Sequence, residues 1–374
     1  MKLPTLYSKR ENGGLQEWTI EILEPAYSTG AAGFRTIAGK VDGKLQVSEW
    51  TYCQGKNLGK KNATNDRTQA ITEAQAKWDK KVELGEREKP GDLGNDGIFW
   101  PMLAKEFKLY ADKLIYPIIC QPKLNGIRVV THSRGTWSRR GKKMMSIPHI
   151  DKAEALIIKV FPELTLDGEG YSNDLKNNFE KICSLIRKTK PTTNDLKESE
   201  KKIFHYVYDC QFKNKPELTF LERFKILQKI TAGCSCIRLV PTYIAKNKEE
   251  LDKYYKEFRD AGYEGQIVRQ NLPYANRRCT ALLKRKEFMD AEFRITQILE
   301  GKGGRVGTAG AILFKNKEGK PFHATPAFTF KYCKQLWKDK KILIGKIATV
   351  KFFCYTTKDK VPYLPNVIAI RDYE

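Results

Sequence analysis

The segment GEREKPGDLGNDG (85–97) is polar, rich in glycine and without apolar periodicity, so it has no face to offer a hydrophobic core. A chain of 374 residues interrupted in this way is expected to fold as more than one body. We read 91–97 as a linker that follows a small α+β module, 1–90. In that module EWTIEIL (17–23) and KLQVSEWTYC (44–53) read as strands between glycine-rich turns. DRTQAITEAQAKWDKKVEL (66–84) puts Ala70, Ala74, Trp78 and Val82 on one helical face.

Beyond the linker the patterns predict a helix at 101–113 and then a strand pair in PIICQPKLNGIRVV (117–130), with Asn125-Gly126 as its hairpin turn. Further strands are expected at 164–172, 203–212 and 265–270, and helices at 149–160, 174–188, 219–231 and 247–261. Together these make a mixed α+β domain over 98–290. The tail, 291–374, is strand-rich in EFRITQILEG, GAILFKN, GKIATVKFFCYTT and PNVIAIRDY, which suits a short β-barrel of the OB type.

Charge proposes the partner. Lys+Arg 68 against Asp+Glu 44 gives +24, and residues 1–97 hold only 15 basic and 14 acidic side chains of that total. The excess therefore sits in 98–374, as a protein that meets a polyanion such as nucleic acid requires; the competing reading is a plain solubility charge. No apolar run approaches the roughly 18 residues of a membrane span. The start, MKLPTLYSKRENGG, lacks the apolar segment of a secretory signal. A soluble, intracellular (cytoplasmic) monomer is expected. The nine cysteines are scattered, with only Cys234 and Cys236 close together, which argues against a zinc or disulfide framework.

The residues that could do chemistry fall in strand-like stretches. Lys123 and Arg128 bracket Gly126, and a lysine amine becomes a nucleophile when cations or desolvation disfavour its charge. Lys284 and Lys286 in LLKRKEF alternate, so both can enter one pocket, where an anion such as phosphate would offset their burial; an exposed edge strand is the alternative. In LTLDGEG one of Asp167 and Glu169 is expected to face the pocket, with the other turned away, and a pocket carboxylate could bind a divalent cation or a ribose hydroxyl. Glu264 precedes an apolar strand, and Tyr208 in YVYDCQF could stack on a base or serve the core.

Lys123-x-x-Gly126-x-Arg128, Ser138-Arg139-x-Gly141, Asp167-Gly168-Glu169, Tyr208-Asp209, Glu264-Gly265 and Lys284-x-Lys286 occur in that order. As an ordered set they resemble the ATP-dependent DNA ligases of the covalent nucleotidyltransferase superfamily, nearest to the small ligases of phages and large DNA viruses. PMLAKEF (101–107) is similar to the opening of their adenylyltransferase domain. LLKRKEFMDAEFRITQILEGKGG (282–304) is similar to its passage into the OB domain. The likeness covers about 100–374 and implies an α+β chain: an adenylyltransferase (ATP-grasp-like nucleotidyltransferase) domain, then an OB-fold β-barrel.

The resemblance also implies roles. Lys123 would attack the α-phosphate of ATP to give lysyl–AMP, AMP would pass to the 5′-phosphate of a nick in duplex DNA, and the 3′-hydroxyl would displace it. Gln121 would lie near the adenine edge and Tyr208 would stack on adenine. Arg128 and Arg139 would hold the ribose and the 5′-phosphate, with Arg140 and Arg305 also on DNA. Glu169 and Glu264 would hold Mg²⁺ (or Mn²⁺), and Lys284 and Lys286 would neutralise the α-phosphate. Two positions depart from the pattern: Asn125 stands where many relatives carry aspartate, and the chain closes on Arg371-Asp372-Tyr373-Glu374 rather than arginine-x-aspartate-lysine. GKGGRVGTAG (301–310) lacks the ending of a P-loop and reads as a mobile barrel loop near DNA. The stretch around Trp50, Gly55, Lys56 and Gly59, with the helix after it, resembles the DNA-binding WGR domain; a fold-stabilising or protein-binding unit is the alternative. Rival readings of the whole are an RNA ligase, an mRNA-capping guanylyltransferase, or a nucleic-acid-binding protein without catalysis.

Overall fold

The computed structural model describes residues 1–9, 14–23, 31–93, 99–356 and 358–371. The chain divides into two compact units: Ile98–Glu287, and a second made from Met1–Gly97 with Phe288–Glu374.

At the N-terminus β1 (Leu6–Lys9), β2 (Leu15–Leu23), β3 (Ala32–Lys40) and β4 (Leu45–Val47) are paired in that order, and β5 (Thr51–Cys53) also pairs with β3. Helix α1 (Asp66–Glu83) begins at a capping box, Asn65 with Thr68, which satisfies two otherwise unpaired backbone donors. Its Ala70 and Ala74 pack on Ile20, Ile22 and Phe34 of the sheet, the face that the helical spacing predicts.

Two five-stranded sheets build Ile98–Glu287. The first contains β6 (Leu103–Glu106), β7 (Ile118–Lys123), β13 (Tyr243–Ala245), β14 (Gly265–Arg269) and β15 (Arg278–Lys286), in the order β13-β7-β14-β15-β6. The second contains β8 (Ile127–His132), β9 (Gly135–Ser138), β10 (Leu164–Tyr171), β11 (Phe204–Phe212) and β12 (Ile237–Leu239), in the order β12-β11-β10-β8-β9. Helices α2 (Pro148–Val160), α3 (Phe179–Ile186), α4 (Thr193–Lys202), α5 (Phe220–Ile230) and α6 (Lys248–Asp260) complete it. Ile118 and Cys120 of β7 pack with Val268, Leu283 and the α6 residues Leu251 and Phe258. Strand alternation therefore turns Gln121 and Lys123 to the opposite face.

The structure corrects two expectations here and adds one helix. β7 and β8 do not form a hairpin: they belong to different sheets and share no ladder. Asn125-Gly126 is a crossover, and Gly126 is needed for space, since a Cβ there would stand 2.6 Å from Glu169 Cγ and from the Gly170 carbonyl. Residues 101–113 form β6 and two short 3₁₀ turns, Phe107–Leu109 and Ala111–Lys113, instead of a helix. The strand is captured by parallel pairing with β15, a long-range contact that outweighs local helical preference. Helix α4, in the stretch TNDLKESEKK, has no apolar stripe to announce it; it is nucleated by the Thr192–Asp195 capping box.

In the tail, β16 (Met289–Arg294), β17 (Gln297–Glu300), β18 (Ala309–Lys315), β19 (Pro321–Pro326), β20 (Ile347–Phe352) and β21 (Asn366–Arg371) form the path β16-β20-β21-β19-β18-β17. Its two ends are halves of one strand, bent at Ile295–Thr296. Counting that strand once gives the order 1-2-3-5-4-1, with a parallel pairing of β19 and β21, the connectivity of an OB fold. The path closes through the bend, without the continuous ladder of a closed barrel. Helices α7 (Phe330–Lys338) and α8 (Lys340–Leu343) lie between β19 and β20; strand patterns alone did not announce them. GKGGRVGTAG carries a 3₁₀ turn, Gly303–Arg305, before β18. Arg371 ends β21 on Thr349 Oγ1 at 2.8 Å, and residues 372–374 of the terminal motif lie outside the described residues, as do 94–97 of the linker.

Candidate active site

The site is written in strand register. Across β7, β14 and β15, Lys123 pairs with Gly265 and Gly265 with Lys286, while Gln121 pairs with Ile267 and Ile267 with Lys284. Three strands thus place Gln121, Lys123, Lys284 and Lys286 on one face in two rows. The Glu264 backbone donates to the Lys123 carbonyl at 3.0 Å. Its carboxylate receives Lys123 Nζ on Oε2 and Lys286 Nζ on Oε1, the latter at 3.3 Å. Lys284 is held elsewhere, by Glu106 Oε1 at 2.7 Å at the end of β6, so the two alternating lysines rest on different carboxylates.

The second sheet supplies carboxylates and arginines. Arg128 forks onto Asp167, Nε to Oδ1 at 2.8 Å and Nη2 to Oδ2 at 2.5 Å, and its Nη1 donates to the Met102 carbonyl at 2.8 Å. Tyr274 Oη donates to Asp167 Oδ2 at 2.6 Å and accepts from the Met102 amide at 3.0 Å. Burial opposes the charge on Arg128, but Asp167 more than offsets it and holds the guanidinium well above its ordinary value. Asp167 and Glu169 do not face opposite ways. Two residues apart on one strand, they share a side, and both sit in the field of Arg128.

Glu169 is half-buried beside Gly126, and its carboxylate has no hydrogen-bond partner among the described residues. Burial pushes its carboxyl up to about 7; Lys123 and Arg128 pull it down, and Glu264 and Asp167 push it further up. A free, hard oxygen donor of this kind fits Mg²⁺ or Mn²⁺. Glu264 fits less well, because both its oxygens are taken by lysines.

Tyr208 owes its position to a β-bulge. Asp167 pairs with Asp209 and Gly168 with Val207, so Tyr208 is the extra residue of β11. The Arg128 guanidinium lies 5.6 Å from its ring centroid, and burial drives the phenol well above its ordinary value. The Tyr208 carbonyl accepts from Gln121 Nε2 at 3.1 Å, tying the two sheets together.

The Ser138-Arg139-x-Gly141 signature is a turn. Gly141 adopts φ +70° and donates to the Ser138 carbonyl at 2.9 Å, while Ser138 Oγ accepts from Lys142 at 3.0 Å. The turn displays Arg139 and Arg140 at the surface. Desolvation, then the neighbouring Arg128, Arg140 and Arg278, lowers the Arg139 guanidinium from its ordinary value. Neither Arg139 nor Arg140 has an acidic partner among the described residues, which leaves a cationic rim beside the Lys123 face. Arg305 belongs to the other unit, in the 3₁₀ turn before β18.

Sequence reasoning missed Glu106, Tyr274, Thr242 and the buried pairing of Asp209 with Arg223 and Arg269. For the last, the available signal was a charged residue inside an apolar strand, Asp209 in YVYDCQF and Arg269 in GQIVRQ.

Residues 101–286 match the ATP-dependent DNA ligase domain. The chain is 29% identical over 359 residues to a DNA ligase of African swine fever virus (isolate Warthog/Namibia/Wart80/1980), covering 88% of this chain and 82% of the relative. A DNA ligase from the Tick/Malawi/Lil 20-1/1983 isolate is 28% identical and spans 99% of this chain and 94% of its own length. Among solved structures, one of the Lig E DNA ligases superposes with a TM-score of 0.59 at 22% identity, over 73% of this chain and 100% of that one.

Proposed function

The chain belongs to the ATP-dependent DNA ligases, and from that premise we propose that it seals nicks in duplex DNA with Lys123 as the nucleophile. The observation that carries this reading is the Glu264 carboxylate set between the Lys123 and Lys286 amines on one cross-strand row, facing Glu169 and Arg128 from the other sheet.

In the first step Lys123 Nζ forms a bond to the α-phosphorus of ATP, the bond to pyrophosphate breaks, and Glu264 Oε2 is placed to take the proton the amine sheds. Lys286 and Lys284 supply positive charge as the phosphate oxygens gain negative charge. The 5′-phosphate of the nick then attacks the same phosphorus and frees Lys123, and the 3′-hydroxyl finally attacks the 5′-phosphorus and expels AMP. Glu169 would hold a divalent cation, which supplies charge neutralisation at the phosphates when bound. Tyr208 and Gln121 receive the base, and Arg139 and Arg140 receive the DNA phosphates, with Arg305 adding a contact from the OB unit. Arg128, already forked onto Asp167, acts as a fixed cation in the pocket wall. The N-terminal module adds grip on DNA. We place the activity in DNA replication, recombination or repair inside the cell.

Incubation with α-labelled ATP in Mg²⁺, followed by denaturing electrophoresis, tests the reading. The wild type takes up label and Lys123→Ala loses it by at least about 10⁴-fold, as for other nucleophile removals. Label on Lys123→Ala, or faster sealing of a nicked RNA duplex than of nicked DNA, overturns it. Deleting residues 1–95 is expected to weaken DNA binding and spare labelling; unchanged DNA affinity removes the module from the DNA-binding surface.

A further inference from the structure

Gln121 is 1% exposed, so the direction of its amide is set by the protein. Its Nε2 donates to two acceptors, the Tyr208 carbonyl at 3.1 Å and Thr242 Oγ1 at 2.9 Å. Thr242, half-buried between β12 and β13, spends its own hydroxyl proton on the Val240 carbonyl at 3.1 Å. Towards Gln121 the hydroxyl is therefore an acceptor, as the Tyr208 carbonyl must be. Both neighbours of this end of the amide demand a donor, and that settles which end is nitrogen. The other end, Oε1, has no hydrogen-bond partner among the described residues. It lies on the face of β7 that carries Lys123, two residues on.

We infer that Thr242 is a specificity-determining residue: by pinning the Gln121 amide through its hydroxyl, it presents a lone acceptor to the purine, selecting an amino group over a carbonyl at the 6-position. The inference rests on the ligase reading above. Adenine offers a 6-amino donor to Gln121 Oε1. Guanine brings a 6-carbonyl, and two acceptors would then meet in a buried site with neither satisfied, which is the strongest form of rejection a pocket has. Without the hydroxyl only the Tyr208 carbonyl, at 3.1 Å, still holds the amide, so turning it over to offer NH₂ to guanine costs one acceptor contact instead of two. Thr242 touches no substrate; it acts through Gln121.

The test is the ratio of kcat/KM for lysyl-nucleotide formation with ATP and with GTP, measured on wild type, Thr242→Val and Thr242→Ser. A ratio is insensitive to the fraction of protein that is folded, so a merely structural role for Thr242 leaves it unmoved. Thr242→Val is expected to lower the ATP-over-GTP ratio at least tenfold, and Thr242→Ser, which keeps the hydroxyl, to restore it. Thr242→Ala replaces the valine variant if that one does not fold. A ratio within twofold of wild type in the variants without a hydroxyl overturns the inference, as does a serine variant that behaves like valine. A wild type that takes label from neither nucleotide overturns the ligase reading instead, which keeps the two failures apart.

Discussion

Two clusters in Ile98–Glu287 each set one carboxylate between two cations, and they are built to opposite ends. Asp209 joins Arg223 from α5, at 2.9 and 3.1 Å, to Arg269 from β14. All three residues are 3% exposed or less, and the second amino group of Arg223 is also committed, to the Leu218 and Leu272 carbonyls at 2.5 and 3.2 Å. Glu264 sits between Lys123 and Lys286, whose side chains are 20% and 19% exposed. The difference lies in the cation. A guanidinium is a planar fork that locks into place, whereas an ammonium is a point charge on a flexible stem that leaves its partner when an anion arrives. The first cluster pins one sheet to the other; the second, on the reading proposed above, keeps two amines ready.

The sharpest way to break this comparison is Asp209→Ala. It strands two buried guanidinium groups and is expected to cost about 3–5 kcal/mol in denaturant unfolding, the usual penalty for removing one partner of a buried pair. A loss below 1 kcal/mol would falsify the structural role. Glu264→Gln probes the other cluster. Labelling with ATP should fall about 10²-fold, the scale of losing one aligned electrostatic group, with a smaller stability loss than Asp209→Ala. The reverse ranking of stabilities would erase the distinction between the clusters.

The Glu169 carboxyl, raised to about 7, makes a pH test possible. If the ionised form holds the cation, labelling rises several-fold as pH climbs through 7, and Glu169→Gln, already impaired, shows no such rise. The folded value lies above the ordinary 4.5, so the stability this group contributes is present below about 4.5 and is lost as pH rises towards 7. Glu169→Gln should therefore gain thermal stability relative to wild type at pH 8 and not at pH 4; a constant offset across that range would count against the shift. The smallest effect is expected from Glu106→Gln. Glu106 is half exposed, and an exposed ion pair is worth about 0–1 kcal/mol, so labelling should change by less than about fivefold. A hundredfold loss there would move Lys284–Glu106 into the same class as Glu264.

Much of this site could be read before any fold was known. Lys284 and Lys286 were identifiable because alternation along a strand is a local property, whereas Lys123 and Ser138-Arg139-x-Gly141 stood out only through the ordered set of motifs they belong to. What misled was also local: Asn125-Gly126 carries every signal of a hairpin, yet here it spans two sheets. The bulge that makes Tyr208 the unpaired residue has no signature in YVYDCQF, since it exists only relative to β10. Asp209, Arg223 and Arg269 come from β11, α5 and β14, and nothing in the spacing between them announces that they meet.

The amino-acid sequence determined which side chains could do the chemistry and in what order they stand, because residue type and period are written in it directly. Tertiary structure decided which carboxylate holds which cation, that Gln121 shows an acceptor, and that the turn after Lys123 is a crossover. Those outcomes depend on strand pairing between distant segments, where burial and long-range hydrogen bonds outweigh anything that neighbouring residues can specify.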